Sequence, residues 1–263
     1  MMKEKVFPNF WQVVLIIALL STTNLIIFVI TSWMMSKNNF STFYQTIQVI
    51  ALVLNFVPYV VYLVKKTNIK LSDYLALPDF TTVIKIIIVS ILVKFVITIP
   101  LYQVNVFYNL LLDSKIRLIG SSMYFKAPAI VIGIRWIFIP IAEEVLFRGL
   151  VLRQFLKQFT PIKAILLSSL IFSFYHLTLV DFAGHFVVGI ILGLFYYKTN
   201  SIMVTSILHI LLTNYILKME NFDLTQSNLI AFIFIFVISI LFVILLLRKP
   251  MNTTKISILT NRE

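Results

Sequence analysis

The sequence predicts an all-α protein, a polytopic transmembrane bundle of about eight helices with both termini in the cytoplasm. Of its 263 residues, 60% are hydrophobic and only 12% are charged, against about 45–50% and about 25% in soluble domains. The mean hydropathy is +1.00. Apolar stretches of about 20 residues recur along the chain, and each is long enough to cross roughly 30 Å of hydrocarbon. Together these observations exclude an ordinary soluble protein.

Windows of about 19 residues place the transmembrane spans one after another, near residues 11–33, 43–64, 82–108, 128–147, 162–179, 182–197, 201–218 and 226–247. The sixth and seventh spans are joined only by Lys198-Thr199-Asn200-Ser201, which predicts a helical hairpin. The apolar run from Trp11 is too long for a cleaved signal peptide. We divide the chain into an N-terminal region of three spans (1–127), a four-span core (128–218) and a last span with a tail (219–263).

The charged residues indicate the topology of the chain. The net charge of +12 is typical of nucleic-acid binding in a soluble protein, but in a membrane protein it reflects the cytoplasmic excess of Lys and Arg. We therefore expect no nucleic-acid partner and a lipid bilayer as the surroundings. The chain contains no Cys, which excludes disulfides and Cys-ligated metal. A Cys-free, Lys- and Ile-rich chain without a targeting segment is expected in a bacterial plasma membrane.

Two adjacent carboxylates follow the fourth apolar run. Glu143 and Glu144 lie about 100° apart around a helix, so they face different directions. Glu144 and Arg148 have the i, i+4 spacing of an intrahelical ion pair, which leaves Glu143 free for chemistry. The alternative is a solvated Glu–Arg pair at a cytoplasmic helix end, because charges at span ends commonly extend to water.

Two histidines lie within later apolar spans. His176 is on the fifth span and His209 is on the seventh. Each alone is typical of a hydrogen-bonded packing residue. Together with the glutamate pair they place ionisable groups on three spans, where such groups are costly and mark functional sites. Helical bundles build polar sites from facing helices in this way.

The sixth span is predicted to contribute packing. Gly189 and Gly193 have the small-xxx-small spacing that lets helices approach closely, and we expect them to bring the fifth and seventh spans together. His185 lies near the start of this span, beside Asp181, and is expected at the membrane interface.

Three sequence boxes, in order on successive spans, carry a resemblance to a known family: Glu143-Glu144-x-x-x-Arg148, Phe172-x-x-x-His176 and His209. They resemble the CAAX protease and bacteriocin-processing family (CPBP, or Abi), a family of intramembrane endopeptidases. The resemblance covers roughly residues 128–218. It implies hydrolysis of a peptide bond in a membrane-associated peptide or membrane-protein substrate.

The last box departs from the pattern of that family, which is usually His-x-x-x-Asn. Here the residue four positions after His209 is Thr213, and Asn214 follows it. At the fifth position a side chain is turned about 100° away from the histidine face. Either Thr213 supplies a hydroxyl in place of the amide, or a local distortion of the helix brings Asn214 in.

The resemblance implies a role for each matched residue. Glu143 would be the base that activates a water molecule, and His176 would help to hold that water. His209, with Thr213 or Asn214, would face the oxyanion. Glu144 and Arg148, as an ion pair, would support these groups without contacting the substrate.

The sequence leaves two alternatives open, one about the use of a metal ion and one about whether the protein is an enzyme. Either Glu143 activates the water without a metal, or a zinc ion bound by Glu143, His176 and His209 activates it. The metal-free mechanism is favoured because the spacing is not that of His-Glu-x-x-His. The alternative function is a non-catalytic membrane protein that binds a peptide or partner, as in bacteriocin self-immunity, and Thr213 is the feature that supports it.

The depth of the three site residues predicts one further feature. If the fourth helix ended with its span, Glu143 would lie only about 6 Å from the inner end, far from the level of the histidines. We therefore predict a single helix from Ala129 to about Phe159, because Pro161 disfavours a helical conformation just before it. The side chains of Glu143 and the two histidines should then lie within about 8 Å of one another.

Overall fold

The computed structural model describes residues 8–37, 41–67, 75, 77–93, 129–176, 182–213, 237 and 241. These residues are helical with short connections and include no strand, which confirms the all-α class. Residues 129–158 form a compound helix, α4. The other helices are α1 (Phe10–Lys37), α2 (Ser41–Thr67), α3 (Phe80–Val93), α5 (Pro161–Tyr175), α6 (Phe182–Thr199) and α7 (Ile202–Thr213).

The chain is a membrane protein with long apolar helices. Three segments in the described residues are long and apolar enough to cross a bilayer, namely Phe10–Ile27, Val49–Thr67 and Phe182–Thr199. Helices α3, α5 and α7 are apolar but shorter. The eighth predicted span, near 226–247, lies outside the described residues except for two positions. The count of about eight spans and the orientation of the termini stay predictions.

Helix α4 runs without a break past the end of its predicted span. It alternates between α and π geometry through the segments Ala129–Gly133 (α), Ile134–Phe138 (π), Ile139–Glu144 (α), Val145–Leu152 (π) and Arg153–Gln158 (α). Phe159 then turns to an extended conformation, with φ −128° and ψ 165°. Pro161 begins α5 in the next turn. The prediction of one long helix that stops before Pro161 is confirmed, and Glu143 lies near its middle.

The two π segments were not predicted. In the first, the N–H of Ile139 bonds to the carbonyl of Ile134, five residues back. This i→i+5 pattern directly precedes Pro140, which has no N–H to donate. The second π segment begins directly after Glu144. A π turn holds more residues than an α turn, so it changes the direction of the side chains that follow, and such turns are frequent at functional sites.

Helices α5 and α6 pack at backbone distance. A Cβ atom added to Gly189 would lie 2.9 Å from the Cβ of Ser169 and 3.0 Å from its Cα. At Gly193 it would lie 3.0 Å from Cγ2 of Ile165. Only glycine fits at such a contact, so the two glycines pack the sixth helix closely against the fifth. Their predicted role in bringing the fifth and seventh spans together stays a prediction.

A tight hairpin joins α6 to α7, as the short connection predicts. Asn200 adopts the left-handed conformation, with φ 48°, which Asn tolerates better than most residues. Its N–H donates to the carbonyl of Tyr196 at 2.7 Å and so ends α6. Because α7 starts two residues later, it returns alongside α6 and carries His209 into the bundle.

Candidate active site

A buried ion pair on α4 forms the base of the site. The Nη1 atom of Arg148 lies 2.8 Å from Oε1 of Glu144, at the predicted i, i+4 spacing. The exposed fractions are 1% for Arg148 and 0% for Glu144, so the alternative of a solvated pair at a helix end is wrong. The Nη2 atom of Arg148 also donates to the carbonyl of Gly189 at 3.3 Å, which ties α4 to α6.

His209 connects to both glutamates. Its Nδ1 lies 2.8 Å from Oε1 of Glu144. That oxygen already accepts a hydrogen bond from Arg148, so a carboxylate acceptor assigns the donor role to Nδ1 of the imidazole. The other ring nitrogen, Nε2, then faces Glu143 at 3.7 Å from its Oε2. The two glutamates were expected to have separate roles, and the structure shows that one buried imidazole contacts both.

His176 approaches Glu143 from α5. Its Nε2 lies 4.0 Å from Oε2 of Glu143, and its Nδ1 lies 2.9 Å from the carbonyl of Phe172. Because a carbonyl can only accept, Nδ1 is the donor and Nε2 is directed toward Glu143. The side chain of His176 is 22% exposed, and that of Glu143 is 9% exposed. The structure therefore brings Glu143, His176 and His209 together around one carboxylate oxygen, within the predicted 8 Å.

The ring of Phe172 contacts three of these groups. The guanidinium carbon of Arg148 lies 4.7 Å from the ring centroid, a cation–π distance. The rings of His176 and His209 lie 4.5 and 5.8 Å away, both in edge-on geometry. Phe172, one turn before His176, thus packs against the arginine and both histidines.

His185 also belongs to this site, which was not foreseen from the sequence. It was expected at the membrane interface, but its ring stacks on that of His176 with a centroid distance of 4.0 Å and an angle of 22°. It also lies 6.2 Å from the ring of Phe172. Its place four residues before Gly189 was the available signal, because the close contact of α5 and α6 brings that turn of α6 beside His176.

The structure leaves two predicted site residues unplaced. Thr213 is the last residue of α7, but its side chain lies outside the described part of the chain. Asn214 lies outside the described residues altogether. Which of them accompanies His209 therefore stays a prediction.

A metal ion would need several carboxylate or imidazole donors close together. Among the described residues, no group of three or more His, Asp or Glu side chains is arranged to hold one.

These features define a class of protein: a helical membrane protein with a buried site of carboxylates, histidines and an arginine in its bundle. Residues 125–216 match a family model described as type II CAAX prenyl endopeptidase Rce1-like. The match contains all three boxes and confirms the resemblance to the CAAX protease and bacteriocin-processing family, which is a protease family. It covers about a third of the chain. No curated protein and no solved structure matches the chain.

Proposed function

We propose that this chain is an intramembrane endopeptidase in which Glu143 activates a water molecule for attack on a peptide bond. One observation carries the proposal: a single oxygen of Glu143 faces the Nε2 atoms of His176 and His209 at 4.0 and 3.7 Å. Both rings are fixed through Nδ1, by Phe172 and Glu144 respectively. Three polar atoms that converge in a buried site can hold one water and a carbonyl group.

The proposed reaction proceeds by general base catalysis. Glu143 takes a proton from the water, and the oxygen of that water bonds to the carbonyl carbon of the substrate. His176 accepts a hydrogen bond from the water through Nε2. His209 acts in its protonated form, donating from Nδ1 to Glu144 and from Nε2 to the developing oxyanion. The carbon–nitrogen bond then breaks as Glu143 passes its proton to the leaving amine, which restores the carboxylate.

Glu144 and Arg148 act through His209 in this mechanism. The carboxylate of Glu144 orients the imidazole, as the buried aspartate does in a serine protease. The guanidinium of Arg148 offsets the charge of Glu144, because an unpaired carboxylate is costly in a buried site. Preorganised partners of this kind leave little to rearrange when charge develops on the substrate.

A comparison of membrane peptides from cells with the wild-type chain and with Glu143→Ala tests the proposal. We expect a specific cleavage product only with the wild type, and His176→Ala should also lack it. The alternative function is binding without cleavage, as in bacteriocin self-immunity, and Thr213 in place of the usual Asn supports it. A cellular phenotype that survives both substitutions would establish binding and overturn the proteolytic function.

Metal dependence is tested on the purified protein. We propose a metal-free mechanism, which is supported by the absence of the His-Glu-x-x-His spacing. Metal content should then be far below one ion per chain, and chelators should leave the cleavage rate unchanged. Stoichiometric zinc with loss of activity on chelation would replace Glu143-activated water by zinc-activated water.

We also propose eight spans, both termini in the cytoplasm and a bacterial plasma-membrane location. The absence of Cys makes single introduced cysteines unambiguous reporters. A cysteine replacing Lys198 should react only with reagents that enter the cytoplasm, whereas one replacing Lys115 should react from outside. The opposite pattern would invert the topology.

A further inference from the structure

A chain of polar side chains connects α1 and α2 to the last residue of α5. On α2, Nδ2 of Asn55 lies 3.4 Å from the carbonyl oxygen of Leu20, 2.7 Å from Oγ1 of Thr23 and 2.8 Å from Oδ1 of Asn24. On α1, Nδ2 of Asn24 lies 3.3 Å from the hydroxyl of Tyr175. Buried polar groups in a bilayer need such partners, because water is absent there.

The direction of these hydrogen bonds follows from one backbone carbonyl. Leu20 can only accept through its oxygen, so Asn55 must present its NH2 group on that side. Asn24 then presents its oxygen to Asn55 and its own NH2 group to Tyr175, since an amide carries one of each. The hydroxyl of Tyr175 therefore accepts a hydrogen bond and keeps its own proton. No residue in the described ranges accepts that proton.

The ring of Tyr175 lies beside the candidate active site. The residue is 6% exposed, and its ring lies 5.4 Å from that of Phe147 and 5.5 Å from that of His176. The carboxylate of Glu143 is close enough to interact electrostatically with the phenol. A hydroxyl that accepts one hydrogen bond is polarised and donates a stronger one, so Asn24 makes Tyr175 a better donor.

We propose that Tyr175 is a catalytic residue, which donates a hydrogen bond to the carbonyl oxygen of the substrate as it becomes an oxyanion. Asn24 and Asn55 are positioning residues that orient the phenol. This proposal rests on the proposed proteolytic function. It gives the site a second oxyanion donor beside His209, in a chain whose Thr213 departs from the family pattern. Because Asn24 and Asn55 lie outside residues 125–216, the N-terminal helices would complete the active site.

The test uses the full chain in proteoliposomes with a fluorogenic farnesylated peptide of CAAX form and with the same peptide without the prenyl group. Tyr175→Phe keeps the ring and removes the donor, so kcat should fall about 100-fold with little change in KM. Asn24→Leu should lower kcat by less and should add nothing in the Tyr175→Phe background. Tyr59→Phe, on α2 and partly buried in the same core, is the matched control and should behave as the wild type.

A purely structural role gives a different result. In that case Tyr175→Phe and Asn24→Leu would lower the thermal stability but leave kcat unchanged, which would overturn the proposal. Fluorinated tyrosines at position 175 keep the packing and change only the acidity of the phenol. If Tyr175→Phe does not fold, the fluorinated variants distinguish a catalytic role of Tyr175 from a structural one. A catalytic donor predicts that kcat changes steadily with phenol acidity, and a constant kcat contradicts it.

The wild type and Glu143→Ala separate the two proposals. If neither peptide is cleaved in a manner that depends on Glu143, the proteolytic function fails and the role of Tyr175 fails with it. If cleavage depends on Glu143 but Tyr175→Phe is fully active, the role of Tyr175 alone is refuted.

Discussion

His209 on α7 and Glu144 on α4 are joined side chain to side chain at 2.8 Å, in the buried interior of the bundle. The same oxygen of Glu144 accepts a hydrogen bond from Arg148. The imidazole is therefore oriented by a carboxylate whose charge is itself offset, and its second nitrogen faces Glu143. Predictions about the site follow from breaking this network at different points.

The two glutamates should respond differently to the same isosteric change. Glu143 has its nearest imidazole nitrogen at 3.7 Å, so Glu143→Gln should abolish cleavage while the protein stays folded. Glu144 is bound at 2.8 Å by both Arg148 and His209, so Glu144→Gln should lower both the thermal stability and the activity. Thermal unfolding in detergent and peptide cleavage measure the two effects. Equal behaviour of the two variants would contradict the separate roles.

Removing Arg148 should destabilise the fold. The substitution Arg148→Ala leaves the carboxylate of Glu144 buried without its cation, at a cost of about 3–5 kcal/mol. We expect a lower folded yield and lower activity. Arg148→Lys should restore only part of both, because a single ammonium cannot bind Glu144 and the Gly189 carbonyl while stacking on Phe172. A stable and fully active Arg148→Ala protein would refute the role of the pair.

The contact between α5 and α6 should not tolerate a methyl group at Gly189. The added Cβ would meet the backbone of Ser169 at 3.0 Å, and overpacking of this kind costs about 1–3 kcal/mol. Gly149→Ala is the matched control. Its Cβ would meet the terminal Cδ1 atom of Ile202 at 2.8 Å, and a flexible side chain can move aside. Thermal unfolding should therefore separate the two variants, and equal losses would show that the helix contact is not tight.

The cleavage rate should depend on the planar ring of His185 that stacks on His176. Aromatic pairs contribute about 0.5–1.5 kcal/mol beyond their buried area, so His185→Ala should lower the cleavage rate by roughly 2- to 10-fold. His185→Phe keeps a planar ring and should retain most of the rate. If Phe is as harmful as Ala, the imidazole of His185 has a chemical role of its own.

Features that depend on neighbours in sequence were predictable. The apolar runs gave the helices, and the boundaries of α5, α6 and α7 agree with the predicted spans to within about five residues at most ends. Pro161 ends α4 through its covalent geometry, and the Glu144–Arg148 pair follows from the four-residue spacing on one helix. These are local effects, so no knowledge of other helices was required.

Contacts between helices could not be predicted from the sequence in the same way. A helix in lipid can be apolar on every side, so its sequence does not show which side faces the bundle. The stack of His185 on His176 was not foreseen for this reason, nor were the hydrogen bonds from Asn55 through Asn24 to Tyr175.

The sequence by itself determined the all-α membrane class, the long α4 helix, the i, i+4 pairing of Glu144 with Arg148 and the resemblance to a protease family. Only the tertiary structure decided that His209 contacts both glutamates, that α4 contains π segments, and that His185 and Tyr175 lie beside His176. The physical reason is that spacing along a helix fixes neighbours on that helix alone. The rotation and depth of one helix against another depend on packing among residues far apart in sequence.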